Sequence, residues 1–305
     1  GVPSVEFPSG GKTVDVAVVA EGGEWAVAET PDWLAVTPGE GKVTLAADDN
    51  RRGSLRSGKL RITGAENVEA SLDVSQGNGA LILRLEVEAP ATVAAIPLHG
   101  QVSCTIDWGD GAVESIDAKI DGLGIGHPSH EYAAAGTYRV SVSGTVPSLS
   151  SIKLTDDQAL RLKAVEAWGA TGLEKMQYAF YRCAALESIP SPGPEAPFAR
   201  VTTFSKAFDS CDALREIPAD LFAGCTELTD LSSCFNDCDA LKSIPEHLLD
   251  DCTGVEKLSS IFAYCRGLES VPGRLFAACS KVTDLGYLFT ACESLRTIPA
   301  DLFAG

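Results

Sequence analysis

The chain has 305 residues, 45% of them hydrophobic, and a formal net charge of −18. This length suffices for two or three domains. The strong acidity excludes nucleic acid and anionic lipid as expected partners, because both are polyanions. No run of about 18 apolar residues is present, so we expect no direct insertion into a membrane.

The first part of the chain, residues 1–77, has the pattern of an all-β domain. Apolar and polar residues alternate in short runs, such as residues 13–18 and 59–63. Clusters of Gly, Pro, Asn and Ser separate these runs at the intervals that are typical of a β-sandwich. We therefore predict a sandwich of two sheets here.

Part of this domain resembles the BACON domain in the order of four segments. The segments are residues 24–27, 32–38, 43–50 and 71–76. That family is an immunoglobulin-like sandwich found mainly in gut Bacteroidetes, and its name carries a proposed carbohydrate-binding role. The resemblance implies that Trp25 and Trp33 form a platform for a sugar ring. The alternative is that both indoles pack in the core, as large aromatic side chains on strands usually do.

A glycine-rich joint at residues 77–79 precedes a second predicted β domain, residues 80–147. This domain contains Trp-Gly-Asp-Gly at residues 108–111, followed by Ser-His-Glu-Tyr at 129–132 and a strand-like run at 136–142. These motifs, in this order, resemble the PKD domain, another immunoglobulin-like β-sandwich. In that family the Trp-Gly-Asp-Gly segment is a tight turn, in which glycines adopt positive φ and Asp accepts backbone hydrogen bonds.

A possible catalytic or metal-binding cluster lies in these motifs. Asp107, Asp110 and His130 would place an imidazole between two carboxylates. The alternative is that these side chains are the hydrogen-bonding partners of a turn. We favour the turn.

Residues 148–172 carry apolar side chains without the regular spacing of the sequence that follows. A stack of repeats needs its first unit covered, because an open end would expose the core. We expect this segment and the PKD-like domain to cap the repeats and to form a rigid joint with them.

The remaining sequence is dominated by a 27-residue repeat. Cys211, Cys238, Cys265 and Cys292 each begin a Cys-x-x-Leu-x-x-Ile/Val-Pro element, and the interval between successive elements is constant. A unit this small cannot bury its own apolar side, so neighbouring units must stack. The period predicts a solenoid of 27-residue coils within residues 148–305.

The order of elements resembles the leucine-rich-repeat family, in particular its BspA-like branch of bacterial surface proteins. The resemblance covers roughly residues 165–305. It implies an α/β leucine-rich-repeat solenoid, and the Leu-Phe-x-x-Cys segment of each coil, such as residues 221–225, has helical spacing. Whether the second Phe-x-x-Cys element, such as residues 235–238, is a helix or a strand edge stays open on spacing alone.

Nine of the ten cysteines fall in the repeats, and most lie at two repeating positions. Because buried cysteine behaves as a small hydrophobic residue, we expect mostly free thiols. Disulfides between neighbouring coils would also be within reach. Zinc is less favoured, because Cys234 and Cys238 alone make a weak site. We expect no metal and no cofactor.

The sequence contains no motif for catalysis. A glycine-rich phosphate loop, a His-Glu-x-x-His motif and a Gly-x-Ser-x-Gly elbow are all missing, and only four histidines are present. We therefore expect a non-catalytic binding protein rather than an enzyme.

The leading hypothesis is adhesion through the surface of the solenoid, by recognition of host or bacterial proteins or glycans. This is the class of function that the BspA-like resemblance implies. Outward side chains at repeating positions are the candidate contacts, namely Asp230, Ser232, Glu256, Ser259 and Asp284. The alternative is glycan capture for a polysaccharide-uptake system, with Trp25 and Trp33 of the first domain as the binding residues.

The start of the chain bears on localisation. Gly1 is followed at once by strand-like sequence, which indicates a chain whose leader has been removed. With the resemblances above, this predicts a secreted or outer-membrane surface protein, anchored as a lipoprotein and acting as a monomer.

Overall fold

The computed structural model describes residues 4–7, 12–18, 25–47, 56–64, 69–76, 79–121, 125–193 and 196–304. The chain divides into two units, Gly1–Ala80 and Leu81–Gly305. Sequence predictions that fall on residues 24, 48–50 and 77–78 lie outside the described residues. The domain boundaries predicted from the sequence stay predictions.

The first unit contains two sheets with a common core. Its strands are β1 (Ser4–Phe7), β2 (Lys12–Ala17), β3 (Trp25–Glu29), β4 (Leu34–Gly39), β5 (Lys42–Ala47), β6 (Arg56–Gly64) and β7 (Glu69–Gln76). One sheet has the order β1-β7-β6-β3 and the other β2-β5-β4. Successive side chains of a strand point to opposite faces of its sheet. In β5, Val43, Leu45 and Ala47 are accordingly buried, and the residues between them are less buried. The core joins side chains of both sheets, among them Leu60 of β6 and Leu34 of β4.

The second unit begins with a larger sheet. Its strands are β8 (Leu81–Val87), β9 (Thr92–Ala95), β10 (Leu98–Asp107), β11 (Val113–Ile120), β12 (Ser129–Tyr132), β13 (Gly136–Thr145), β14 (Ser148–Leu149) and β15 (Leu162–Ala167). The sheet has the order β11-β10-β13-β8-β15, with β14 paired to β10, while β9 and β12 form a separate pair. Inward side chains of β10 alternate along the strand and bury Val102, Cys104 and Ile106.

Strand β15 connects this sheet to the coils. It pairs antiparallel with β8. On the side of the coils, the Val165 N–H donates to the carbonyl of Ser188 at 3.1 Å, and the Glu187 N–H donates to that of Lys163 at 2.8 Å. One buried core extends from the sheet through the repeats. Hydrogen-bonded structure therefore joins the sheet to the first coil, which contains Phe180, and the capping role predicted for residues 148–172 stays a prediction.

Backbone hydrogen bonds join each coil to the next. The N–H groups of Phe204, Lys206 and Phe208 donate to the carbonyl oxygens of residues 230, 232 and 234 in the following coil, each at 2.9 Å. The N–H groups of residues 231, 233 and 235 repeat this pattern one coil later, also at 2.9 Å. Only alternate residues donate to the next coil. The residues between them are therefore free to form hydrogen bonds within their own coil.

Those residues lie in pairs of tight turns. The Ala207 N–H donates to the carbonyl of Phe204 at 2.9 Å, and the Cys211 N–H donates to that of Phe208 at 3.2 Å. The third residues of these turns, Lys206 and Ser210, have φ of 56° and 62°, as a type II turn requires. The same two positions have positive φ in the other coils, at Tyr178, Arg182, Ser233, Asp237, Ser260, Tyr264, Tyr287 and Ala291.

The predicted α/β leucine-rich-repeat solenoid is wrong, because the chain is nearly all β and turn. The one helix among the described residues is α1 (Asp156–Ala159), which precedes the repeats. In the segment expected to be helical, the Leu221 and Cys225 N–H groups donate to carbonyls three residues back, not four. Pro218 and Gly224, with φ of 72°, enclose a stretch far below the ~12 residues that a helix needs without strong packing.

The described residues contain no helix that could span a membrane, since α1 has only four residues.

Aromatic side chains form a continuous column inside the stack. Neighbouring rings are nearly parallel, at 4–6°, with centroids 5.4–6.1 Å apart. The column consists of Phe180, Phe208, Phe235, Phe262 and Phe289. The repeat thus places one identical side chain at the same height in every coil.

The cysteines that begin each repeat also have a common role. The Cys238 thiol donates to the carbonyl of Phe208 at 3.2 Å, and the Cys265 thiol donates to that of Phe235 at 3.0 Å. All ten cysteines are buried free thiols. A small side chain with a weak donor fits this position, because a larger one would overfill the packed interior.

Candidate functional site

Isolated parallel bridges bring polar residues of successive coils into one column on the surface. The bridges join Thr203 to Asp230, Asp230 to Lys257, and Lys257 to Asp284. Lys257 and Asp284 are exposed, and Asp230 is half-buried. Residues paired across neighbouring strands lie about 4.8 Å apart. Carboxylate and ammonium groups therefore alternate along this column at a fixed spacing.

Two further columns flank the bridged one. Ser232 and Ser259 lie on one side, two residues further along each coil, and Glu256 lies on the other side, between Thr229 and Thr283. The Thr229 N–H donates to Thr202, the Glu256 N–H to Thr229 and the Thr283 N–H to Glu256, which holds this column in register. We call the three columns together the exposed coil face. It consists of Thr203, Asp230, Lys257 and Asp284, of Ser205, Ser232, Ser259 and Gly286, and of Thr229, Glu256 and Thr283.

Two carboxylates of the exposed coil face also stabilise the turns beneath them. The Ser232 N–H donates to Asp230 Oδ1 at 2.9 Å, and the Gly286 N–H donates to Asp284 Oδ1 at 3.0 Å. Among the described residues, neither Oδ2 atom has a partner. Each aspartate thus fixes its own orientation with one oxygen and leaves the other for a ligand.

The structure brings five of the seven residues predicted from the sequence onto this face, namely Asp230, Ser232, Glu256, Ser259 and Asp284. Whether they bind a ligand stays a prediction. Lys257, whose outward position in the repeat is that of Asp230, lies on the same face.

Trp25 and Trp33, the other two predicted residues, belong to the first unit. Both are half-buried and pack against its core. Trp33 contacts Phe7 edge-on with centroids 6.2 Å apart, and the Arg56 guanidinium lies 4.9 Å from the centre of the Trp33 ring. These contacts favour the packing role. Glycan binding by these two residues stays a prediction.

The cluster around Trp-Gly-Asp-Gly has the contacts of a turn. Asp107 Oδ1 accepts from the Gly109 N–H at 2.9 Å, and Asp110 Oδ1 accepts from the Ala112 N–H at 3.0 Å. Gly109 has φ of 82°, and a Cβ there would lie 2.6 Å from the carbonyl oxygen of Arg139. Both carboxylates therefore serve the backbone of the turn, and a side chain at Gly109 has no room.

His130 completes this arrangement. Its Nε2 lies 2.7 Å from Asp110 Oδ2, and its ring stacks on Trp108 with centroids 5.3 Å apart. The bond to His130 first, and that from the Ala112 N–H second, lower the pKa of Asp110. The described residues include no group of three or more His, Cys, Asp or Glu side chains that could hold a metal ion.

Another histidine, His127, is expected to make stability depend on pH. Its Nδ1 lies 3.1 Å from the carbonyl of Leu98, its Nε2 is buried without a hydrogen-bond partner, and burial lowers the pKa of the imidazole. In the unfolded chain the pKa is about 6.5. As pH falls through this value, the unfolded state takes up the proton first, so the free energy of unfolding should fall. The contribution of His127 should be constant again below its folded pKa.

Urea titrations from pH 8 to pH 5 check this expectation. In His127→Asn, whose side-chain amide can still donate to Leu98, the decrease of the free energy of unfolding with falling pH should be smaller than in the unchanged protein. Equal pH dependence in the two proteins would show that the imidazole is not the source.

A cleft of about 450 Å³ lies where the sheet of the second unit meets the first coil. Its lining comes from three separate parts of the chain, represented by His99, Ser148 and Tyr178. No spacing in the sequence links these residues, so the cleft was not predicted. The one available signal is that Tyr178 occupies a position where two later coils have serine.

Comparison of the chain with models of known protein families and with curated proteins gives no match. Among solved structures, it is similar to a Bacteroides ovatus GH5 xyloglucanase in complex with a XXXG heptasaccharide, with 15% sequence identity and a TM-score of 0.22. The match covers 37% of this chain and 28% of the xyloglucanase chain. A likeness this low carries no argument about fold or activity.

Proposed function

We propose that this chain is a non-catalytic binding protein, secreted or held at a bacterial outer surface, that recognises a host or bacterial protein or glycan. The exposed coil face is the binding surface. The observation that carries the proposal is the recurrence of carboxylate, ammonium and hydroxyl groups at fixed spacing on hydrogen-bonded coils. Groups that are already ordered lose little freedom on binding, so many modest contacts can add up to useful affinity.

The resemblances to BACON, PKD and BspA-like proteins support the same class of function. They imply an adhesion protein of Bacteroidetes, anchored as a lipoprotein. We further propose that it acts as a monomer, without metal or cofactor. Since a fold does not specify a ligand, the ligand must be identified from the face itself. Acidic side chains outnumber basic ones there, which favours a partner surface with basic groups.

Neutralising the three carboxylates of the face should weaken binding to the partner. In the variant Asp230→Asn, Glu256→Gln, Asp284→Asn, the amide oxygens can still accept the turn hydrogen bonds at residues 232 and 286, so the coils should stay folded. We expect the apparent Kd for cultured host cells or immobilised matrix proteins to rise about tenfold or more. Binding of the labelled protein at two salt concentrations measures this.

A second triple variant provides the control. Glu216→Gln, Glu227→Gln and Glu246→Gln remove the same charge from exposed coil positions outside the face, where these side chains form no ion pair with described residues. Binding of this variant should match that of the unchanged protein. Equal loss in both variants would indicate an effect of net charge, and no loss in either would contradict the assignment of the face.

A further inference from the structure

The cleft between the sheet and the first coil combines an apolar wall with polar groups. Tyr178 is half-buried and Ile152 is 45% exposed, so both present apolar surface to the cleft, together with Pro147. Ser148 and Ser150 are buried at its floor. A volume of about 450 Å³ falls within the range of small-molecule sites. The cleft can therefore hold a compact ligand with one apolar face and several hydroxyl groups.

Two charged side chains at the rim of the cleft, Glu174 and Lys175, differ in whether they form an ion pair with another described residue. Glu174 accepts from Arg200 Nη2 at 2.7 Å, so its carboxylate is already paired. Lys175 is exposed, lines the cleft and forms no ion pair with any described residue. The imidazole of His99 lines the same cleft. An ammonium group with no carboxylate partner favours a ligand that brings a carboxylate of its own.

We propose that this cleft binds a sugar unit that carries a carboxylate, such as a uronic acid residue of an acidic polysaccharide. The C–H face of the pyranose ring lies on the ring of Tyr178. Its hydroxyl groups contact Gln177 and the two serines, and its carboxylate pairs with Lys175. Lys175 has the same position in the repeat as Asp230, so the cleft adjoins the exposed coil face while using separate residues.

The position of Tyr178 is occupied by Lys206, Ser233, Ser260 and Tyr287 in the later coils, and only Tyr178 lines the cleft beside the sheet. The φ of Tyr178, 61°, is close to that of the equivalent residues in later coils. This backbone conformation is therefore a feature of the turn and not of the ligand site. Two of those equivalents are Ser233 and Ser260. The turn therefore accepts serine, and Tyr178→Ser should fold. Thr203 of the second coil occupies the position equivalent to Lys175, so Lys175→Thr should also fold.

Isothermal titration calorimetry of the full chain tests the proposal. The acidic ligands are oligogalacturonides and oligosaccharides ending in glucuronic acid, and the neutral ligands are oligomers of galactose and glucose. The acidic sugars should bind more tightly. Lys175→Thr should weaken the acidic sugars about tenfold, the loss of one hydrogen bond between charged groups, and leave the neutral ones unchanged. Tyr178→Ser should weaken both classes. Tyr287→Ser and Lys281→Gln, exposed positions outside the cleft, should weaken neither.

Three outcomes would overturn the proposal. They are no binding of any sugar, acidic-sugar binding that Lys175→Thr does not reduce, and tighter binding of a short peptide with a free carboxyl terminus than of any uronic acid. If Tyr178→Ser does not fold, the selectivity of Lys175→Thr decides alone. The carboxylate variants of the exposed coil face leave the cleft intact, so adhesion through that face can fail while sugar binding persists.

Discussion

Replacing Phe235 by alanine is expected to lower the free energy of unfolding by about 3–5 kcal/mol, the usual loss for a fully buried phenylalanine. Phe235 lies in the middle of the aromatic column, stacked on Phe208 at 5.4 Å and on Phe262 at 5.7 Å, and it has no exposed surface. The neighbouring coils are fixed by backbone hydrogen bonds, so they cannot close the cavity.

Urea unfolding and native-state hydrogen exchange together measure this loss. Hydrogen exchange is needed because arrays of repeats can unfold in parts, so that one global free energy does not describe them. The N–H groups of Phe208 and Phe235, which donate to the following coils, report on the coils around the cavity. Both should exchange faster in Phe235→Ala.

Phe303→Ala provides the matched control in the last coil. Its ring also stacks on another phenylalanine, Phe276, at 5.4 Å, but it is 56% exposed. Its removal creates no enclosed cavity, so we expect a loss below about 1.5 kcal/mol. Similar losses in the two variants would contradict the view that enclosure of the column, and not ring stacking alone, stabilises the coils.

In the folded protein, buried cysteines such as Cys183 and Cys225 should react with thiol reagents at least about a thousandfold more slowly than free cysteine at pH 8. The thiolate is the reactive species, and burial raises the pKa of Cys183 and of Cys225 to about 12. At pH 8, about one such thiol in 10,000 is ionised, against roughly one in four for free cysteine. The packed interior also excludes the reagent.

The order of labelling provides an internal control. Cys279 and Cys292 are 7% and 9% exposed, and burial raises their pKa only to about 11. Cys211, Cys234 and Cys238 have no exposed surface. Mass spectrometry of alkylated peptides should therefore find the first two labelled before the other three. Rapid labelling of Cys238 in the folded protein, or fewer than ten reactive thiols after unfolding without reductant, would contradict this.

The coils show how far a periodic sequence can predict a fold. The recurrence of the Cys-x-x-Leu-x-x-Ile/Val element once in every repeat indicates stacked units and buried positions, and Cys238, Leu241 and Ile244 are indeed buried. The helices expected from the leucine-rich-repeat resemblance are missing from the described coils. Helical spacing in residues 221–225 reflects three buried side chains on successive short turns, which a coil without helix or strand provides equally well.

The Trp-Gly-Asp-Gly segment illustrates the opposite case. Here Gly109 and Gly111 adopt positive φ, and Asp107 and Asp110 accept backbone hydrogen bonds, as a turn at this place requires. Both features could be predicted because they depend on residues close to one another in the chain. The contact between Asp110 and His130, 20 residues apart, was offered only as a possibility.

The amino-acid sequence by itself determined which side chains must be buried, since the periods of apolar residues depend on composition and order alone. Tertiary structure decided the backbone conformation that buries them. Lys206 and Ser233 have positive φ although neither is glycine, because hydrogen bonds to the next coil offset the cost of that conformation. It also decided the cleft of His99, Lys175 and Tyr178, because only the packing of the sheet against the first coil brings these residues together.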